Sequence, residues 1–112
     1  MLCPAPFIHR FIYNDGLPNL CCAAQREGWI YEPQYQDWNG SAMQEIRRHM
    51  LEEDTLPSVC SQCVNEEKVG LPSTRAVQFE VYKDLGEPAP DIVTGTAIDA
   101  PLTLDLRMNN AA

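Results

Sequence analysis

Five cysteines carry the chemistry that can be argued from this 112-residue chain. Cys60 and Cys63 stand three positions apart in Cys60-Ser61-Gln62-Cys63, so one turn of backbone can aim both sulfurs at a single ion or cluster. Two more thiolates would close a four-sulfur site, and the remaining cysteines are Cys3 and the adjacent pair Cys21-Cys22. The pattern predicts a metal centre held by Cys3, Cys60, Cys63 and one of Cys21 or Cys22. Sulfur count and spacing alone serve a structural zinc ion and an iron centre equally. A redox-active Cys60-Cys63 dithiol is a third reading. It is disfavoured because that motif follows a strand and opens a helix, and neither is expected here.

Composition narrows the setting. The chain is long enough for one domain with a modest core, and its nine prolines and six glycines imply much irregular backbone. In such a fold a metal cross-link supplies stability that limited apolar burial does not. Sixteen acidic side chains against eight Lys and Arg give a net charge of −8, which repels phosphate backbones and acidic membrane surfaces. Neither nucleic acid nor a membrane is an expected partner. The start, Met1-Leu2-Cys3-Pro4-Ala5-Pro6, lacks the basic and apolar runs of a signal peptide, and no segment approaches membrane-spanning length. Five cysteines suit four ligands plus a bystander better than a disulfide framework, so a reducing cytoplasm is the expected location.

The elements that must position the thiols follow in order. Residues 7–13 are rich in aromatic and β-branched side chains and run into Asn14-Asp15-Gly16, a reverse-turn signal, so residues 17–22 are expected to return as the second strand of a hairpin. Pro18 makes that strand weak or an edge. Alternation along it would send Cys21 and Cys22 to opposite faces, leaving one as ligand. Residues 23–39 read as a loop whose Trp29, Tyr31, Tyr35 and Trp38 lid the core. A helix is expected over 41–53, opened by a capping box of Ser41 and Gln44. Met43, Ile46 and Met50 form its apolar stripe, Arg47 lies over aromatic rings, and Glu45, Arg48, His49 and Glu52 make a solvated face.

Pro57 ends helical structure, and Cys60 to Cys63 follow as a knuckle. Ser73 is expected to cap a second helix reaching about residue 85, although Val77, Phe79, Val81 and Tyr82 also suit a strand. His9 is expected to be hydrogen-bonded scaffolding, and Glu66, Glu67 and Arg75 a surface ion-pair group. Residues 87–100, with Pro88, Pro90 and Gly95, read as a linker, and Leu102-Thr-Leu-Asp-Leu106 alternates as a strand does.

Taken together, the motifs resemble a known family. Cys3-Pro4-Ala5-Pro6-Phe7-Ile8-His9, Asp15-Gly16 and Cys21-Cys22 are similar to the opening of twitch and SPASM-type auxiliary-cluster domains of radical S-adenosylmethionine (radical SAM) proteins. The likeness continues through Trp38, Met43, Ile46-Arg47, Met50-Leu51, Cys60-x-x-Cys63, Glu67, Gly70, Ser73 and Arg75, about three quarters of the chain. It implies a 4Fe-4S cluster bound by Cys3, Cys21, Cys60 and Cys63, with Cys22 the alternate to Cys21; read by itself, Cys22 is expected to be a buried small apolar side chain. Pro18 and Leu20 depart from the family pattern beside Cys21. The tail, 102–110, resembles the strand that leads such proteins into a three-cysteine loop for the catalytic cluster and S-adenosylmethionine. That loop is not in this sequence.

The expectation is therefore an α+β fold: a small loop-rich domain with an N-terminal β-hairpin, one or two helices and a four-cysteine metal site. It divides into a cluster-binding domain at 1–86, a linker at 87–100 and, at 101–112, the first strand of a truncated radical SAM core. The resemblance implies an auxiliary iron–sulfur domain assisting electron transfer or substrate positioning, not catalytic alone. Its implied partners are a downstream radical SAM core and a peptide or small-molecule substrate. A zinc-stapled interaction module is the alternative.

Overall fold

In the computed structural model, which describes residues 1–13, 16–24, 37–87, 89–92, 98 and 100–106, the expected first strand is shorter than its aromatic run. Pro4 and Pro6 sit where a helix's first turn has no use for amide hydrogens, and Ala5–Ile8 closes one helical turn, α1. Phe7 and Ile8 are thereby driven into the core, and β1 begins only at His9–Ile12. The hairpin closes with Tyr13 donating to the Leu17 carbonyl and Gly16 to that of Tyr13. Gly16 has φ +85°, a conformation that glycine adopts without strain. Asn14 and Asp15, expected in this turn, lie outside the described residues, as do Trp29, Tyr31 and Tyr35.

The return strand, β2, is only Pro18–Asn19, paired antiparallel with Phe11↔Asn19 and Ile12↔Pro18. It stops there, short of the expected residue 22, because Asn19 redirects the chain. Its Oδ1 accepts from the Leu20 amide at 2.9 Å, and its Nδ2 donates to the Ala24 carbonyl at 3.0 Å. Pro18 does lie on an edge, since the sheet order is β2-β1-β3. The third strand, β3 (Thr103–Leu106), runs parallel to β1 with His9↔Thr103 in register. His9 Nδ1 and Thr103 Oγ1 are 2.6 Å apart, so this histidine is scaffolding between strands. Of the 87–100 segment, Ile92 is buried in the core and the Ile98 carbonyl accepts from Trp38 Nε1 at 2.9 Å.

Helix α2 spans Ser41–Glu52 with Met43 and Met50 buried on its inner stripe. Gly40, not Ser41, is the capping position, and Gln44 reaches back to the Asn39 carbonyl, so the expected capping box does not form. Arg48 pairs with Glu45 and Glu52 on the exposed face. Arg47 is 4% exposed and lies 4.7 Å from the Trp38 ring centre.

Beyond Pro57, a 3-10 turn (Ser58–Cys60) leads directly into α3, Ser61–Lys68. Gly70, at φ +78°, ends this helix: its amide donates to the Glu67 carbonyl and that of Leu71 to Glu66, a Schellman closure. Ser73 Oγ then accepts from the Ala76 amide at 3.1 Å and caps α4, Thr74–Leu85. The choice of helix over strand for this stretch follows, since the cap satisfies a first-turn donor that a strand would not present. The described residues thus form a small α+β unit. No helix among them is long and apolar enough to cross a membrane.

Candidate metal centre

Three separate places in the chain bring four cysteines to a single space. Cys3 enters on the extended lead into α1, Cys21 on the turn that follows β2, Cys60 at the capping position of α3, and Cys63 inside that helix's first turn. All four line the same cavity, which has about 20 Å³ of room for a water-sized sphere and opens partly to solvent. Its remaining wall is largely apolar, from Pro6, Leu20, Met50 and Leu56 among others. Cys3, Cys21 and Cys63 are buried members of the hydrophobic core, and Cys60 is partly buried against it. The cavity is therefore inside the core rather than at its edge.

Cys22 does not join them. It is exposed, which corrects the expectation of a buried apolar side chain. The expected separation of Cys21 from Cys22 holds, but a turn produces it rather than strand alternation. Once Asn19 has bent the chain, Cys21 faces the interior and its neighbour faces water.

The setting makes bare thiolates unfavourable. Burial pushes the Cys3 and Cys60 thiols up to about 12 and the Cys21 thiol up to about 11, and the neighbouring cysteines push in the same direction. Backbone amide hydrogen bonds from Ala5 to Cys3, and from Ala23 and Ala24 to Cys21, act the opposite way, as does the guanidinium of Arg75 on Cys3. A bound cation reverses this balance, because thiolates that repel one another in an apolar wall become ligands sharing a positive centre. Four soft sulfur donors without a carboxylate in the cavity wall suit zinc or iron–sulfur chemistry and not calcium or magnesium.

Among the described residues, however, no three His, Cys, Asp or Glu side chains are gathered closely enough to hold one ion. A tetrahedral zinc with Zn–S bonds of ~2.3 Å needs its sulfurs ~3.8 Å apart. A four-iron cluster puts each thiolate on its own iron and tolerates a wider ring of sulfurs.

Comparison with protein-family models, curated proteins and solved structures gave no match.

The structure also alters the argument about Cys60 and Cys63. They do open a helix, contrary to expectation, but a 3-10 turn precedes it rather than a strand. Of two further side chains, Gln78 was not singled out in the sequence and Arg75 only as an ion-pair partner and within the resemblance. Arg75 and Gln78, on the first turns of α4, reach the same cavity. Their signal was the Ser73 cap, which sets the helix phase and puts positions 75 and 78 on one face. Arg75 is held by Nε donating to the Leu2 carbonyl at 2.6 Å and by an ion pair with Glu67 at 2.9 Å. Arg75 of the expected surface ion pair thus also lines the cavity.

Proposed function

We propose that this chain binds a 4Fe-4S cluster through Cys3, Cys21, Cys60 and Cys63 as an auxiliary-cluster domain of the twitch/SPASM type belonging to a radical SAM protein. The observation that carries the reading is the convergence of four cysteines, spread over more than half the sequence, on one apolar cavity. The resemblance, and not sulfur count or spacing, favours the cluster over a single zinc ion, the alternative reading. When bound, such a cluster supplies one-electron chemistry at a potential set by burial and hydrogen bonds to its sulfurs. The chain's own contribution is to hold four thiolates in a dry wall and to bring backbone amides of Ala5, Ala23 and Ala24 to two of them.

On this reading the domain assists electron transfer or positions a peptide or small-molecule substrate in the cytoplasm, beside a radical SAM core supplied downstream. The net charge of −8 argues against nucleic acid as a direct partner. Anaerobic reconstitution with iron and sulfide, followed by iron, sulfide and zinc analysis, tests the proposal. A brown protein with about four irons and four sulfides per chain supports it. Colourless protein that prefers one zinc overturns it in favour of the zinc-stapled module.

A further inference from the structure

Helix α4 packs Val81, Tyr82 and Leu85 against the core, and the inward position one turn earlier is occupied by Gln78. Val77 and Phe79 are 57% and 36% exposed, whereas Gln78 between them is 6% exposed. Burying a carboxamide is unfavourable unless the amide finds a partner. Gln78 has not found one for its oxygen: Oε1 is buried without a hydrogen bond. The same side chain lines the four-cysteine cavity together with Arg75, three positions earlier.

We propose that Arg75 and Gln78 set the reduction potential of the centre held by the four cysteines, Arg75 through a fixed positive charge and Gln78 by donating a carboxamide N–H to one of its sulfurs. The inference rests on the cluster reading above. Thiolates and sulfides only accept hydrogen bonds, so a metal-loaded centre calls for donors in its wall. A carboxamide can present either end by rotating half a turn, and an oxygen without a partner leaves it free to do so. Arg75 cannot swing away, since Leu2 and Glu67 anchor it and its side chain is only 21% exposed. Its charge is partly offset by Glu67, which also accepts from Ser73 Oγ at 2.7 Å. Both effects favour the more negative, reduced state. The equilibrium they bias is the gain of one electron from a one-electron reductant, with no bond made or broken and no proton moved.

The test is an anaerobic titration of the reconstituted protein with dithionite, followed by electron paramagnetic resonance. Gln78→Leu and Arg75→Gln are each expected to make the midpoint more negative. The ratio of oxidised to reduced centre at the wild-type midpoint should rise about tenfold, which is ~59 mV for a one-electron couple. Arg75→Lys keeps the charge and should stay near wild type. Glu67→Gln removes the offsetting carboxylate and should move the midpoint the other way, a sign that loosened packing would not produce. Midpoints unmoved at full iron content overturn this inference and leave the cluster reading standing; a wild-type chain that takes up no iron overturns both. If Gln78→Leu or Arg75→Gln fails to load, two other readings decide. These are hyperfine coupling from ¹⁵N-labelled glutamine side chains in the wild type, whose absence overturns the role of Gln78, and the sign of the Glu67→Gln shift, which decides that of Arg75.

Discussion

Arg47 Nε donates to the Pro6 carbonyl at 2.8 Å, bridging 41 positions and fastening α2 to the segment that carries Cys3. The same guanidinium donates at 2.8 Å to the Trp38 carbonyl and to Asn39 Oδ1, while lying over the Trp38 ring. One side chain therefore ties together the helix, the aromatic lid and the wall of the cavity. Arg47→Met keeps the stem volume but leaves two buried carbonyls without donors. It should lower stability by about 3 kcal/mol, read as a reduced urea midpoint with an unchanged slope. Iron uptake should fall with it, because Pro6 lines the site.

The cysteines should divide four against one. Cys3→Ser, Cys21→Ser, Cys60→Ser and Cys63→Ser are each expected to lower iron per chain and to reduce the thermal midpoint of the loaded protein, since metal affinity adds to folding free energy. Cys22→Ser, at an exposed position, should match wild type in both measurements. Equal loss of iron from Cys22→Ser would contradict the placement of that thiol outside the cavity.

His9 gives the fold a pH dependence whose sign is fixed by burial. Burial lowers its pKa below the ordinary 6.5, with Asp105 opposing more weakly. A depressed folded-state value means that the neutral ring stabilises the fold above pH 6.5, and that this contribution is lost as acid protonates it. The His9–Thr103 contact joins β1 to β3, so acidification should loosen β3 first. Protection factors of the β3 amides, corrected for the pH dependence of intrinsic exchange, should fall as the pH drops below 6.5 in wild type, and His9→Gln should flatten that dependence.

Ser73 both caps α4 and donates to Glu67. Ser73→Ala should reduce stability by about 1 kcal/mol through the lost cap, whereas Ser73→Asp keeps a capping acceptor. Near Glu67 the added charge is repulsive, so Ser73→Asp should fall between wild type and Ser73→Ala in urea unfolding.

Much of the frame was legible in local chemistry. The 3.6-residue stripe of Met43 and Met50, the Ser73 cap, the alternation at 103–106 and the edge role of Pro18 all express interactions within a few residues of one another. Helix α3 was missed, although Gly70 followed by Leu71-Pro72 is a helix-ending signal, because the prominence of Cys60 and Cys63 suggested a knuckle instead. The return strand was overextended because Asn19's bonds to its own neighbours outcompete the ladder, and hydropathy does not register them.

The sequence by itself determined which atoms were available: five thiols with two at ligand spacing, an excess of acid, and helices with defined starts. Only the tertiary structure decided that Cys3, Cys21, Cys60 and Cys63 share one cavity and that Cys22 does not. It also decided that Arg75 and Gln78 of α4 line that cavity while Val77 is exposed and Phe79 lies beneath the Arg75 guanidinium. The reason is that periodicity records how side chains are spaced along an element. The direction that element presents to the core is set by long-range contacts such as Arg75 with Leu2 and Arg47 with Pro6, which no local pattern contains.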